Sequence, residues 1–124
     1  MRAHGVSVLA YAVHLETPIR LSESGRRDQA MAVMRDAAGH SGPVVIAGDF
    51  NSQAIGPVFQ AQGYRWATRR VGPSVSVFSW DHIFARGVLP RAASAGVVRE
   101  VNGASDHRPV WAVLTPASTV AAAP

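Results

Sequence analysis

The sequence predicts an α/β or α+β layered domain, in which helices pack on a sheet, and three observations support this class. A strand-like, a helix-like and a second strand-like segment follow one another over residues 5–48. Several short apolar segments then follow over residues 64–114. Such an order is typical of layered domains that combine helices with a sheet. Finally, Asp, Asn and His residues stand where apolar segments end, which is where loops can carry chemistry on a rigid frame.

The first strand is predicted over residues 5–14, where apolar residues occur at both parities, as in a strand covered on both faces. A helix is predicted over residues 24–38, because Ser22 or Ser24 can cap it and Gly39 stands after its end. Its buried stripe is apolar and consists of Ala30, Val33, Met34 and Ala37. Its first turns carry polar residues, Arg26 and Gln29, which we expect on the solvated face.

The second strand is predicted over residues 43–48, and a short helix over residues 57–62 has Pro57 at its first position. The remaining apolar segments predict strands around residues 64–69, 74–85, 96–101 and 108–114. Residues 116–124 lack a core-forming pattern and are predicted to form a disordered tail. One domain over residues 1–115 is therefore expected.

The composition limits the possible functions. The 124 residues suit one domain with a core of its own. The absence of cysteine excludes disulfides, thiolate nucleophiles and zinc–thiolate sites. No apolar run reaches the roughly 20 residues that a membrane span needs. The net charge of +4 comes from arginines that are scattered along the sequence, which indicates compositional bias with a modest attraction to polyanions.

Asp49 and Asn51 follow the apolar strand in the stretch GPVVIAGDFNS, with Phe50 between them. If the strand pleat continues, both polar side chains point to one side while Phe50 turns into the core. Gly48 lets the backbone approach its neighbour closely or bend. A carboxylate and an amide on one side can hold a hard metal, a water or a phosphate oxygen. The alternative is an Asx turn that ends the strand.

Two Asp–His pairs also stand at strand ends. In GASDHRPVWAVL, Asp106 could bind a metal while His107 acts in acid–base chemistry. In SWDHIFARG, Asp81 or His82 must face inward, and an inward Asp81 would need a partner such as a histidine from another strand. The alternatives are a turn aspartate with a solvated histidine and a surface carboxylate. His14, at the end of the first strand, is by itself more typical of a structural histidine.

The order of these motifs is more specific than any one of them. HLE, RRDQ, GPVVIAGDFNS, WDHIFARG and ASDHRPVWAVL follow one another, and in this order they resemble the second half of endonuclease/exonuclease/phosphatase superfamily enzymes. The resemblance implies part of a four-layer α/β sandwich, mainly the second sheet with its flanking helix. It also implies Mg²⁺- or Mn²⁺-dependent hydrolysis of a phosphate ester, such as a nucleic acid, a phospholipid or an inositol phosphate.

The resemblance assigns a role to each motif residue. Asp49 would orient or activate the attacking water, and His107 would act on the nucleophile or the phosphate. Asp81 would orient the His107 ring. His14 and Asn51 would contact the phosphate, with His14 also assisting the leaving oxygen. Asp106 would bind the metal. Chemistry of this kind depends on positioning and charge neutralisation more than on covalent steps.

One departure from the family pattern concerns the first half of the domain. Family members carry there an Asn and a metal-binding Glu, and neither is found before the HLE motif. We therefore expect an N-terminally truncated domain that pairs with a missing first half, self-associates or is marginally stable, with weak or absent activity. The alternative is a catalytically inactive remnant that binds phosphate or a partner chain. A nucleic-acid-binding module is a third hypothesis, suggested by the positive charge alone.

Overall fold

The computed structural model describes residues 1–3, 5–89 and 94–117. The chain begins with a small antiparallel hairpin of β1 (Arg2–Ala3) and β2 (Val6–Ser7), followed by β3 (Leu9–His14). The predicted strand over residues 5–14 is thus two strands. The pairing changes at Val8, because its N–H donates to the Met1 carbonyl whereas the next N–H, that of Leu9, donates to Pro43.

The central sheet has four strands in the order β3-β4-β6-β5. Strands β3 and β4 (Val44–Asp49) are parallel, and β4 pairs antiparallel with β6 (Asp81–Arg86). The short β5 (Arg65–Trp66) forms the outer edge. The carboxyl ends of β3 and β4 therefore meet the beginning of β6 at one end of the sheet.

Helix α1 (Glu23–Ala37) connects β3 to β4, as the predicted strand–helix–strand unit requires. Ser22 caps it, because its hydroxyl accepts from the Gly25 N–H at 3.2 Å. The placement of Arg26 on a solvated face is wrong. Its guanidinium is buried. The charge is compensated there, because the guanidinium pairs with the Glu23 carboxylate at 2.7 Å and donates to the Leu21 carbonyl.

The core lies between the sheet and the helices, where aromatic rings pack in preferred geometries. Phe59, from α2 (Gly56–Ala61), stacks on Phe84 of β6 with ring centroids 4.0 Å apart. Phe50 meets both rings edge-on, at 5.4 Å from Phe59 and 5.1 Å from Phe84. Edge-to-face and stacked pairs contribute about 0.5–1.5 kcal/mol each beyond the area that they bury. The turn of Phe50 into the core is as predicted.

The predicted strand over residues 74–85 is too long at its start. Residues 74–80 form a tight turn in which the N–H groups of Ser74 and Val75 both donate to the Phe78 carbonyl, at 2.9 and 3.0 Å. Ser76 in this turn has φ 47°, which no regular strand adopts. Within residues 74–86, only Asp81–Arg86 pairs with β4.

A second hairpin, β7 (Ser94–Val97) with β8 (Val110–Val113), completes the described chain. The predicted disordered tail over residues 116–124 is wrong in its first residues. Pro116 bridges Val88, and the Ala117 N–H donates to the Gly87 carbonyl at 3.0 Å, so backbone pairing orders this part. The rest of the predicted tail, residues 118–124, lies outside the described residues.

One face of the sheet packs against the core, and the opposite face is exposed along β3. On β3, Leu9, Tyr11 and Val13 pack against the core, whereas Ala10 and Ala12 are exposed on the opposite face. This differs from the prediction of a strand covered on both faces, since α1 covers only one of them. Within the described ranges, no helix has the length and apolar character needed to cross a bilayer.

Candidate active site

Three candidate side chains lie side by side at one end of the sheet because of its register. His14 pairs with Asp49 across β3 and β4, and Asp49 pairs with Asp81 across β4 and β6. Paired residues of adjacent strands project to the same face. The Nε2 atom of His14 consequently lies 3.5 Å from Asp49 Oδ2.

His107 reaches this group from the loop that precedes β8. The loop is fixed by a bridge between Val75 and His107 and by the Arg108 N–H, which donates to the Ser74 carbonyl at 2.7 Å. Asp81, which is expected to orient this ring, lies within hydrogen-bond distance, with His107 Nδ1 2.8 Å from Asp81 Oδ2. On the other side of the ring, Nε2 lies 3.8 Å from Asp49 Oδ2. The imidazole therefore stands between two carboxylates, with its tautomer fixed by Asp81.

The carboxylates set the protonation of His107. Partial burial disfavours the charged ring, but the hydrogen bond and the charge of Asp81, with the charges of Asp49 and Asp106, outweigh burial and raise the His107 pKa. The His107 ring is therefore protonated in a larger fraction of the molecules near neutral pH than a free histidine would be. Such a ring can donate a proton or a charged hydrogen bond to a phosphate oxygen.

Replacing Asp81 by Asn is expected to lower the pKa of His107, because the variant removes the charge that stabilises the imidazolium. NMR titration of the His107 ring resonances measures this midpoint directly. Asp36→Asn is the matched control, since Asp36 accepts from the Tyr11 hydroxyl, a contact outside this cluster. An unchanged His107 midpoint in Asp81→Asn would show that the carboxylate does not control the ring.

Asp49 is placed by two unusual backbone conformations. Gly48 has φ 144°, and a side chain there would collide with the Val13 carbonyl, so only glycine fits. Asn51 has φ 48°, and its N–H donates to Asp49 Oδ1 at 2.8 Å. Its side-chain amide nitrogen donates to the Leu15 carbonyl at 2.8 Å. Asn51 thus orients Asp49 and holds the ends of β3 and β4 together, and its side-chain oxygen accepts no hydrogen bond from the residues that the structure describes.

Sequence reasoning missed the support beneath this site, which comes from His82 and Ser52. His82 is the inward residue of the Asp81–His82 pair and is buried. Its Nε2 lies 2.9 Å from the Ser52 carbonyl, and its Nδ1 accepts from the Trp66 indole N–H at 3.2 Å. The Ser52 hydroxyl in turn donates to Glu23 of α1 at 2.7 Å. The only indication in the sequence was the Asp81–His82 pair at the end of an apolar segment, and this pattern does not determine which of the two residues faces the core.

Burial lowers the pKa of His82 below the ordinary 6.5, with the Ser52 carbonyl opposing this effect only in part. The folded state therefore holds His82 neutral, and the unfolded state gains a proton first as the pH falls. We expect the His82 contribution to stability to be present above about pH 6.5 and to be lost progressively at lower pH. His107 acts in the opposite sense, since its raised pKa adds stability at low pH that is lost as the pH rises.

Urea unfolding of the parent chain and of His82→Gln at pH 7.5 and 5.5 separates these two effects. Because His107 is common to both proteins, the difference between them isolates His82. The parent should lose more free energy of unfolding on acidification than the variant loses. Equal losses in the two proteins would show that His82 is not the titrating group.

The carboxylates and His107 form a group that could hold a metal ion. One ligand atom each of Asp49, Asp81 and His107 lies within 4.8 Å of the others. Asp81 Oδ2 is hydrogen-bonded to His107, whereas Asp49 Oδ2 lies 3.5 Å from His14 and 3.8 Å from His107. Asp106, predicted as the metal ligand, is exposed beside His107 and is not part of the group. One or two carboxylates with water and phosphate oxygens suit Mg²⁺, and this donor set fits such an ion.

One family model matches most of the chain. The sequence profile of the Endonuclease/Exonuclease/phosphatase family matches residues 5–107. No curated protein matches the chain significantly.

Solved structures share the fold. A conserved protein of unknown function from Enterococcus faecalis V583 superposes with a TM-score of 0.65 at 17% identity, covering 86% of this chain and 49% of the other. An endonuclease/exonuclease/phosphatase family protein from Leptotrichia buccalis C-1013-b gives 0.64 at 17% identity, covering 92% and 51%. An endonuclease/exonuclease/phosphatase from Bacteroides vulgatus gives 0.57 at 23% identity, covering 77% and 46%. The chain thus spans about half the length of these structures.

Proposed function

Since this chain belongs to the Endonuclease/Exonuclease/phosphatase family, we propose that it is a hydrolase of phosphate esters, of the phosphodiesterase or nuclease type. The observation that carries the proposal is the His107 ring, held between Asp81 at 2.8 Å and Asp49 at 3.8 Å. A histidine oriented by one carboxylate and facing a second one provides both an acid–base group and a means of positioning water.

Each residue has a separate task in this proposal. Asp49, oriented by the Asn51 N–H, accepts a hydrogen bond from the attacking water and directs it at the phosphorus. His107, kept charged by Asp81, donates to a phosphate oxygen as negative charge develops there. His14, beside Asp49 and exposed, contacts the phosphate and assists the leaving oxygen, and Asn51 offers its free side-chain oxygen to the phosphate-bound water.

A divalent ion, Mg²⁺ or Mn²⁺, would supply charge neutralisation at the phosphate when bound. Asp106 and Asp49 are the residues that we propose hold it. Asp106 is exposed and lies outside the group of Asp49, Asp81 and His107, but it is adjacent to His107 in the chain and its charge helps to raise the His107 pKa, which supports its assignment.

The exposed face of the sheet is a candidate surface for contact with another polypeptide. Small apolar side chains, Ala10 and Ala12, stand exposed there, and a further apolar cavity of about 310 Å³ lies between Val45 and Leu114. We propose that this face is covered by the first half of the domain or by a second copy of the chain. We expect the isolated chain to elute above its monomer mass of 13.1 kDa in size-exclusion chromatography with light scattering. A stable monomer would contradict self-association.

The second candidate is a catalytically inactive chain that binds phosphate or a partner chain. It is favoured by one observation, that the acidic ligands in the described site are few and that Asp81 is already committed to His107. Phosphate would then be held by His107 and His14 without turnover.

An assay with bis(p-nitrophenyl) phosphate, with Mg²⁺ or with EDTA, distinguishes the two candidates. Hydrolysis that needs Mg²⁺, is lost in Asp49→Asn and is retained in Asp28→Asn supports the enzyme, since Asp28 is an exposed aspartate on α1. No hydrolysis, together with a shift of the His107 NMR resonances on addition of inorganic phosphate, supports the binding protein. Neither hydrolysis nor a phosphate-induced shift would overturn both.

A further inference from the structure

The first turn of α1 contacts the segment that follows Asp49. The Glu23 carboxylate uses both of its oxygens there, since Oε1 accepts from the Ser52 hydroxyl and Oε2 pairs with the Arg26 guanidinium, each at 2.7 Å. Arg26 is only 5% exposed and Ser52 only 3% exposed. Neither side chain can therefore reach a substrate, so any influence that they have on the candidate active site passes through neighbouring residues.

Ser52 is fixed by the elements on both sides of it. Its hydroxyl donates to Glu23 of α1 and accepts from the Ala54 N–H at 3.1 Å. Its carbonyl lies 2.9 Å from Nε2 of His82 in β6. The backbone directly after Asn51 is thus held between a helix and a strand, which limits the conformations that Asn51 can adopt.

Asn51 has a backbone conformation that needs such support. Its φ of 48° lies in the left-handed region, which is unfavourable for residues other than glycine and persists where the surroundings determine it. In this conformation the Asn51 N–H donates to Asp49 Oδ1 at 2.8 Å. If Asn51 relaxed to a negative φ, its N–H would point elsewhere and the Asp49 carboxylate would lose its orientation.

We propose that Glu23 and Arg26 form a positioning pair, which holds Asn51 in its left-handed conformation through Ser52 and thereby sets the orientation of Asp49. The kinetic consequence of this inference rests on the proposed hydrolase function. The positioning itself is a property of the folded chain and can be measured without substrate.

Arg26 determines the state of the Glu23 carboxylate. Partial burial alone would raise the pKa of Glu23, but the hydrogen bonds from Ser52 and Arg26, together with the Arg26 charge, lower it. Glu23 is therefore ionised near neutral pH. An ionised carboxylate accepts a shorter and stronger hydrogen bond from the Ser52 hydroxyl than a neutral group would.

The same helix also holds the end of β3. Gln29 Oε1 accepts from the Glu16 N–H at 3.1 Å, two residues after His14. The RRDQ motif, residues 26–29, thus supplies one side chain towards each of the two strand ends that carry the candidate site. The alternative is a local role, in which Glu23 only stabilises the first turn of α1 as an acidic residue near the helix N-terminus.

Amide NMR of the chain in EDTA, without substrate, tests the positioning. Ser52→Ala removes the hydroxyl that Glu23 holds. We expect the Asn51 N–H resonance to move upfield, because its hydrogen bond to the Asp49 carboxylate is lengthened or lost. Hydrogen exchange at the Asn51 N–H should accelerate by about tenfold or more, the factor that corresponds to the loss of one hydrogen bond to a charged group.

Thr68→Val is the matched control for Ser52→Ala. Thr68 is comparably buried, at 4% exposure, and its hydroxyl accepts from the Ile83 N–H at 3.0 Å, a contact outside this connection. The control should keep the parent resonance and exchange rate of Asn51. Ser52→Thr retains a hydroxyl and should bring both back towards the parent values, and circular dichroism checks that each variant is folded.

Glu23→Gln separates the positioning role from the local role of Glu23. It should change the Asn51 resonance in the same direction as Ser52→Ala, whereas Glu100→Gln, which removes an exposed carboxylate elsewhere, should not. Because Glu23 acts through the Ser52 hydroxyl, the double variant Glu23→Gln/Ser52→Ala should accelerate exchange at Asn51 no more than Ser52→Ala alone. Additive effects would mean two independent local roles and would contradict the proposal.

The initial rate with bis(p-nitrophenyl) phosphate in Mg²⁺ measures the kinetic consequence. Ser52→Ala should lower kcat by about 10–100-fold with KM nearly unchanged, because Asp49 would direct the attacking water poorly while the substrate is still bound. A parent chain without hydrolysis would overturn the proposed function, and the NMR measurements would still decide this inference. An unchanged Asn51 resonance and exchange rate in folded Ser52→Ala, or equal changes in Thr68→Val, would overturn it.

Discussion

Replacing His107 by Ala is expected to reduce the proposed phosphodiester hydrolysis by about 10²–10⁴-fold, the range that a positioned acid–base group contributes. The variant removes the only ring in the described site that contacts both Asp81 and Asp49. It also leaves those two carboxylates without the positive charge between them, so a negatively charged phosphate is repelled more strongly. The initial rate with bis(p-nitrophenyl) phosphate in Mg²⁺ measures the effect.

His40→Ala is the matched control for this experiment. His40 lies at the other end of the sheet, where its ring nitrogen is 3.4 Å from the Ser7 carbonyl. Its carbonyl contact with Arg86 is made by the backbone and survives the substitution. The control should therefore keep the parent rate. A His107→Ala rate equal to that of the parent would remove His107 from the proposed chemistry.

Replacing Phe84 by Ala is expected to lower the free energy of unfolding by about 3–5 kcal/mol, as for other fully buried aromatic residues. Phe84 is fully buried, at 0% exposure, and its ring contacts Phe59, Phe50 and Trp66. The loss of the ring leaves a cavity at the centre of the aromatic cluster, which cannot collapse because the backbone on both sides is held in the sheet. For a small domain, this loss is a large fraction of the total stability.

Urea unfolding followed by circular dichroism measures the loss. Ile19→Ala is the control, because Ile19 is 96% exposed and has no packing to lose. The control should remain within about 0.5 kcal/mol of the parent chain. A small loss for Phe84→Ala with an unchanged dependence on urea would mean that the core repacks around the vacancy.

The predictable parts of the structure are those determined by local patterns. The apolar run before Asp49 predicted β4 to within a residue, and the periodicity of residues 24–38 predicted α1. Apolar residues continue through residues 74–85, and they predict one strand there that is longer than the observed one. A tight turn at Ser76 depends on backbone conformation and on contacts with Phe78, which the pattern of apolar residues does not contain.

The candidate active site likewise has a part that local patterns predict and a part that they do not. Motif order predicted that Asp49, Asp81 and His107 belong together, and their placement at strand ends explains why they meet. The buried connection from Glu23 through Ser52 to His82 could not be predicted, because it joins three segments that are distant in sequence.

The parallel pairing of β3 with β4 has a consequence for how the chain folds. Leu9 pairs with Val44, although all of α1 lies between them in the sequence. His107 joins the site from much further along the chain. Contacts between distant segments form slowly because a long loop must close first, whereas a single helix forms in about a microsecond. After dilution from urea, the helical signal of α1 should therefore recover first. The raised pKa of His107 should return later, because it requires the assembled site. The site is in this sense the last part of the chain to become native.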